Sequence, residues 1–284
     1  MAVAGIPLKQ LIRESVFKLQ EAGIADAKTD TFLLLEAAAD ITKAEYLLDP
    51  DKQLTASEYE LFDGFLKRRM QHEPCQYIIG HTEFYGLSFL VNEHVLIPRQ
   101  DTELLVEEAL KTTAEDSAVL DLCTGSGAVA VAIKHTHPGA AVTALDISKE
   151  ALETAKKNAE QNGCEIEFLL SDLFEELGTE RKFDVIVSNP PYISETEYET
   201  LMPEVKDHEP SLALLAGEEG LDIYRRLIAE APRYLAKGGA LLVEIGCSQA
   251  EAVSRLFKEN GFKEIKVTKD LADLDRVVRG TLSR

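Results

Sequence analysis

The sequence predicts an α/β protein: a mostly parallel sheet with helices on both faces, preceded by a small helical domain. Three observations carry this reading. Beyond residue 118, short apolar runs alternate with amphipathic stretches of helical length. Before residue 70, apolar residues recur at intervals of three and four. Between a strand-like and a helix-like segment, Val119–Gly127 turns on two closely spaced glycines.

In the first of these regions, Leu8, Leu11, Ile12, Val16 and Leu19 mark one amphipathic helix, and Phe32–Leu35 centre a second with Thr29 or Asp30 as its cap. Thr55-Ala56-Ser57-Glu58 has the form of a capping box ahead of a third helix carrying Leu61, Phe62, Phe65 and Leu66. Residues 1–73 are therefore expected to form a helical bundle, placed to dock a substrate. Residues 74–97 read as a β-hairpin linker, because Tyr77-Ile78-Ile79 and Leu87–Val91 flank Gly80 and Gly86. Residues 98–284 form the main domain, opened by Pro98 and the acidic helix start Asp101–Glu108.

Strands are expected at Ala118–Leu122, Ala141–Leu145, Glu165–Leu170, Phe183–Ser188 and Gly239–Ile245, with helices such as Lys149–Gln161 and Leu221–Leu235 between them. This rhythm implies parallel pairing through right-handed crossovers. Two last strands, Glu264–Thr268 and Arg276–Leu282, are too close for a helical crossover, so the sheet is expected to end in an antiparallel hairpin.

The net charge of −20 opposes a nucleic-acid partner unless basic residues cluster, and Lys67-Arg68-Arg69 is the nearest thing to a cluster. No stable nucleic-acid partner is expected; a small molecule or a protein is. The four cysteines are scattered and the six histidines form no ligand pattern, so no metal is expected and the thiols should be reduced. Met1–Pro7 has no basic start leading into an apolar stretch, and no apolar run approaches the roughly 20 residues of a membrane span. A cytoplasmic monomer is the expectation.

The glycine turn Cys123-Thr124-Gly125-Ser126-Gly127 lies where a parallel sheet binds ligands, at the carboxyl end of its strand. Asp146 closes the next strand, where a carboxylate can accept both hydroxyls of a ribose. Asp172 ends the third strand, able to accept an adenine amine while Leu173 packs on the ring. Alone, these features also suit NAD, because Gly125–Ala130 fits the dinucleotide pattern, and Asp172 could simply cap a helix.

Asn189-Pro190-Pro191-Tyr192 at the end of the fourth strand is more discriminating. Two prolines fix the loop and remove backbone donors. The Asn189 side-chain oxygen and the Pro190 carbonyl can converge on an NH2 group and orient its electron density toward a methyl donor. An amide or aryl nitrogen is a poor nucleophile, so orientation and electrostatic stabilisation have to supply the acceleration. Tyr192 offers a face for a flat substrate. Hydride transfer has no use for such a clamp. An amino-methyltransferase acting on flipped adenine N6 or guanine N2 would use the same loop, and a binding module without turnover would keep the glycine turn.

The sequence resembles the PrmC/HemK family of release factor glutamine N5-methyltransferases. The resemblance covers Gln76–Gly80, Glu83-Phe84, Gly86, Leu96-Ile97-Pro98-Arg99-Gln100-Asp101-Thr102-Glu103, the glycine turn, Asp146, Ser171-Asp172, Ser188–Ile193, Glu209-Pro210, Leu214–Gly217, Gly220-Leu221 and Glu244–Gly246. It implies a class I methyltransferase domain with a seven-stranded Rossmann-like sheet, S-adenosylmethionine as cofactor and S-adenosylhomocysteine as product. The implied substrate is the Gly-Gly-Gln glutamine of class 1 peptide chain release factors. Cys123–Gly127 would form the cofactor loop, with Asp146 on the ribose, Asp172 and Leu173 near the adenine, and Asn189–Tyr192 on the glutamine amide. Two residues depart from the family: Cys123 stands where glycine is frequent and Gln100 where proline is. Cysteine is expected to fit if its φ is negative.

Overall fold

A computed structural model describes residues 5–283. The reading of Met1–Pro7 falls in part on residues 1–4, outside the described residues. In chain order the elements are α1 (Leu8–Glu21), α2 (Ala27–Ala39), α3 (Lys43–Leu48), α4 (Ala56–Arg69), α5 (Cys75–Ile79), β1 (His81–Phe84), β2 (Leu87–Leu90), α6 (Glu103–Leu110), β3 (Ala118–Leu122), α7 (Ala128–Thr136), β4 (Ala141–Asp146), α8 (Lys149–Gln161), β5 (Glu167–Leu170) and β6 (Phe183–Ser188). They continue with α9 (Glu195–Tyr198), α10 (Pro203–Lys206), α11 (Asp222–Glu230), β7 (Leu235–Glu244), α12 (Ala250–Glu259), β8 (Phe262–Lys269) and β9 (Asp275–Leu282).

Two compact units result. One holds the chain up to Gly80 together with Met202–His208; the other holds His81–Leu201 and Glu209 onward. In the helical unit, α1, α2 and α4 bury Leu8, Leu19, Leu34, Leu35, Phe62 and Leu66 in one cluster. Capping boxes start α3 at Thr42 and α4 at Thr55: each threonine hydroxyl accepts from the backbone three residues on, and Glu45 or Glu58 returns the bond. Such a cap contributes about 1 kcal/mol. The α3 box was not anticipated. Nor is Thr29 or Asp30 the α2 cap: the helix starts after Asp26, and Asp30 lies inside it, buried and ion-paired to Arg69. Tyr77-Ile78-Ile79 is also helical rather than a strand. Pro74 precedes the turn of α5 and Gly80, at φ 85°, ends it, so local punctuation overrides the β-branched residues. The hairpin is instead β1 with β2, joined by Tyr85 and Gly86, both at positive φ as a type I′ turn requires.

The main sheet has seven strands in the order β5-β4-β3-β6-β7-β9-β8. The first five are mutually parallel and β9 runs antiparallel to both neighbours. The terminal hairpin thus folds back, with β9 inserted between β7 and β8. Strand alternation divides the core between the two faces. Val119, Val185, Val187, Ala240 and Leu242 pack on one face with α7, and Leu120, Ile186, Leu241 and Val243 on the other with Tyr224, Leu227 and Phe257. The expected helix Leu221–Leu235 is shorter. It gives way to a 3-10 turn at Ala231–Arg233, where Pro232 has no N–H to donate, and β7 starts at Leu235, earlier than expected. Strand order reverses between β3 and β6, so their carboxyl ends open onto the crevice where such sheets bind ligands.

Candidate active site

Beyond β3 the chain makes its glycine turn under tight local control. Cys123, Gly125 and Gly127 all have positive φ, at 58°, 55° and 81°. The condition set for cysteine at 123, a negative φ, is therefore not met: the turn requires the left-handed region, which costs a residue with a Cβ about 1–2 kcal/mol. A glycine at 123 would relieve that strain. Cys123→Gly is accordingly expected to be more stable than Cys123→Ala by about 1 kcal/mol, compared by denaturant midpoints. Equal midpoints would show that the turn stores no strain there. The thiol itself is inert, since burial and the Asp146 carboxylate hold its pKa far above the usual range.

Polar contacts fix the rest of the turn. Asp121 is buried at 1% exposure and accepts from the Thr124 hydroxyl at 2.6 Å; burial pushes its pKa up to about 7. Asp146 accepts from the backbone N–H of Gly125 at 2.8 Å and of Ser148 at 2.9 Å, and burial raises its pKa too. Asn158 of α8 donates to the Ser126 carbonyl at 2.8 Å. Gly127 is favoured by contact as well as by φ, because a Cβ there would sit 3.1 Å from the Ala155 Cβ and α8 would have to give slightly. This close approach sets the start of α7 against α8.

The loop after β6 is held as firmly. The Ser188 hydroxyl donates to the Leu122 carbonyl at 2.8 Å, tying β6 to β3. The Asn189 side-chain amide donates to the Thr102 hydroxyl at 3.2 Å. Gln249, just ahead of α12, donates to the Tyr192 carbonyl at 3.0 Å and accepts from the Gly246 N–H. Gly220 leaves room for that carbonyl: an added Cβ would lie 2.3 Å from it. Ile193 pairs with Leu215, which gives Leu214–Gly217 its place beside the loop. Arg99 pairs with Glu209, and the second Glu209 oxygen accepts from the Ile97 N–H at 3.3 Å.

These loops enclose a cavity of about 360 Å³ at the carboxyl edge of the sheet. Cys123, Thr124, Gly125, Ser126, Asp146, Asp172, Leu173, Asn189 and Pro191 all line it. Gly127, Pro190 and Tyr192 do not. Tyr192 packs instead on the core cluster beneath the loop, where burial raises its phenol to about 12. Asp172 caps no helix: Arg226 of α11 pairs with its carboxylate at 2.8 Å. Sequence reasoning gave no role to Thr102, Glu209, Arg226, Glu244 or Gln249. Among the described residues no three His, Cys, Asp or Glu side chains gather as a metal site, and no helix is long and apolar enough to cross a membrane.

The cavity fits a nucleoside-bearing cofactor. Its volume is within the usual range for small-molecule sites, a carboxylate stands at the β4 edge, and Leu145, Ile147 and Leu173 supply apolar walls. A doubly wound sheet with a glycine turn after β3, an acidic end to β4 and an acceptor-lined loop after β6 defines a class I methyltransferase. Solved structures agree on the fold. A methyltransferase from Pyrococcus furiosus, 19% identical, matches 71% of this chain and 91% of its own with a TM-score of 0.54. A T. thermophilus 16S rRNA methyltransferase, 20% identical, matches 71% of this chain and 49% of its own at 0.53.

Residues 99–205 match the methyltransferase small domain, and residues 10–80 match the PrmC N-terminal domain. The release factor glutamine methyltransferase of Geobacter sulfurreducens is 44% identical over 93% of both chains. Those of Caulobacter vibrioides and Neisseria gonorrhoeae are 41% and 42% identical, covering 93% and 89% of this chain and 92% and 93% of theirs. The chain belongs to the release factor glutamine methyltransferase family.

Proposed function

We propose that the protein transfers a methyl group from S-adenosylmethionine to the side-chain nitrogen of the Gly-Gly-Gln glutamine in class 1 peptide chain release factors. The observation that carries this reading is that Asn189 and Pro191, from the Asn189-Pro190-Pro191-Tyr192 loop, line one cavity with the glycine turn and Asp146. The names and close similarity of the relatives support glutamine as the acceptor. The methyl donor, when bound, supplies an electrophilic methyl group on a sulfonium. Cys123–Gly127 and Asp146 would hold its sugar end, with Asp172 and Leu173 beside its base.

Asn189 and the Pro190 carbonyl would accept both protons of the glutamine amide, fixing the nitrogen and drawing its electron density outward. Pro190 and Pro191 keep the loop rigid without adding competing donors. Tyr192 acts chiefly as the buried anchor of this loop, its carbonyl held by Gln249. The helical unit is proposed to dock the release factor, and the protein to act as a cytoplasmic monomer needing no metal. The net charge of −20 disfavours the nucleic-acid version of the same clamp.

The test is to incubate the protein with labelled S-adenosylmethionine and either a release factor or DNA, and to map the label by mass spectrometry. Label on the Gly-Gly-Gln glutamine is expected. Label on nucleic acid and none on that glutamine would overturn the proposal.

A further inference from the structure

We propose that Asn158 is a positioning residue for the cofactor: its side chain ties the Ser126–Gly127 peptide of the glycine turn to the β1–β2 hairpin and so holds the turn in its binding shape. The inference rests on the reading of Cys123–Gly127 as the cofactor loop, and identifies what makes that loop rigid.

Glycines shape the turn without stiffening it. Ser126 stands between Gly125 and Gly127, both at positive φ, and glycine moves readily between backbone conformations. The peptide joining Ser126 to Gly127 is therefore free to rotate, reversing its C=O and N–H, unless both groups are held. The Gly127 N–H donates to the Thr124 carbonyl at 2.8 Å, and the Ser126 carbonyl accepts from Asn158 Nδ2 at 2.8 Å. The first bond lies within the turn and moves with it. The second reaches outside, to α8.

Asn158 is a fixed point because two further bonds hold its amide. Its Oδ1 accepts from the Leu90 N–H at 2.7 Å, and its Nδ2 donates to the Leu90 carbonyl at 3.0 Å. An NH2 group has two protons, and here one goes to each side of the joint. A reversed amide would set donor against donor at Leu90 and leave the Ser126 carbonyl facing an oxygen. The hairpin register leaves Leu90 available for this. Phe84 and Leu87 close the two-residue turn as a hydrogen-bonded pair, so alternation directs the N–H and C=O of Ser88 and Leu90 away from β1.

α8 meets that edge with Thr154, Asn158 and Gln161, followed by Asn162 just past its end, all at helical spacing. Gln161 and Asn162 donate to the Ser88 carbonyl at 3.1 and 3.0 Å, and Thr154 accepts from Asn92 at 3.1 Å. These bonds dock the hairpin segment. Asn158, fully buried, bonds the hairpin and the glycine turn together. Beyond Leu90 the chain continues into Glu93, His94 and Val95, which line the same cavity as Gly125 and Ser126. The joint thus fixes the spacing between the cofactor turn and this part of the cavity wall.

The experiment measures S-adenosylmethionine affinity by calorimetry for the full chain, Asn158→Ala, Asn158→Asp, and the double variant Gln161→Ala with Asn162→Ala. Methyl transfer to a release factor and hydrogen exchange are measured on the same preparations. Asn158→Ala is expected to bind the cofactor about 10–100-fold more weakly, with kcat at saturating cofactor and KM for the release factor within about threefold of wild type. Asn158→Asp keeps the size of the side chain and an acceptor for the Leu90 N–H but loses both donors, and is expected to show a similar loss. The double variant removes two hairpin bonds and none to the turn, so its cofactor affinity should stay within about threefold of wild type. Exchange should rise in both Cys123–Gly127 and Leu87–Leu90 for Asn158→Ala, and in Leu87–Leu90 alone for the double variant. The inference is overturned if both Asn158 variants bind within about threefold of wild type, if their loss lies in kcat alone, if the double variant loses as much affinity, or if exchange in the turn is unchanged. Failure of the wild type to bind S-adenosylmethionine would overturn the reading of the cofactor loop, and this inference with it.

Discussion

Asn189→Ala is expected to reduce kcat by about a thousandfold or more while leaving S-adenosylmethionine affinity within a few-fold. Removing one well-placed polar group from a preorganised site typically costs about 10²–10³ in rate. Here the loss should reach the upper end, because the nucleophile is an amide whose lone pair is delocalised and whose orientation is the main source of acceleration. Without Oδ1, only the Pro190 carbonyl would remain to accept from the substrate, and one contact leaves the nitrogen free to rotate. Cofactor binding should survive, because Asn189 is only one of many residues lining the cavity and the glycine turn has its own supports in Asp146, Asp121 and Asn158. Single-turnover rates and calorimetry on the same preparation separate the two quantities. A variant with near-normal turnover would remove the amide clamp from the mechanism.

What the sequence disclosed about this site follows from distance along the chain. Cys123–Gly127 and Asn189–Tyr192 are continuous segments, each leaving a strand that itself reads clearly, so composition and order alone locate both at one sheet edge. The residues that orient them come from elsewhere. Thr102 meets Asn189 across 87 positions, and Gln249 meets Tyr192 across 57. No local pattern links such pairs. Glu244 did leave a trace, as a carboxylate directly after the apolar run Ala240–Val243, and it lay within the segments that carried the family resemblance.

The fold shows the same division. Alternation of strands and helices was legible because period and turn chemistry are local. The insertion of β9 between β7 and β8 was not, because two antiparallel neighbours can add to a sheet in either order. Tyr77–Ile79 misled because β-branched residues argue for a strand, whereas Pro74 and Gly80 delimit a single helical turn. Asp30 misled in another way. An acid near a helix start reads as a cap, and nothing nearby announces Arg69, 39 positions on.

That pair underlies the second large effect: Arg69→Met is expected to destabilise the helical unit by about 3–5 kcal/mol. Arg69 closes α4 and is 5% exposed. Its Nε donates to Asp30 at 2.7 Å, one terminal nitrogen to the Glu73 carbonyl at 3.2 Å and the other to Glu204 at 2.5 Å. Methionine can fill much of the volume but answers none of these acceptors. Asp30, 7% exposed, would be left as a buried carboxylate with its cation gone, a far larger cost than the modest net worth of the intact pair. The double variant Asp30→Leu with Arg69→Met should therefore recover part of the loss, since it removes the stranded charge and adds apolar contact. Glu204 gives the pair a further consequence. It lies in α10, in the Met202–His208 segment that belongs to the helical unit, between the Asn189–Tyr192 loop and Glu209 in sequence. Losing Arg69 should raise hydrogen exchange in that segment as well as in α2 and α4. Denaturant unfolding measures the first effect and exchange mass spectrometry the second. A loss below about 1 kcal/mol, or a double variant no more stable than Arg69→Met, would show that the buried charges are not mutually dependent.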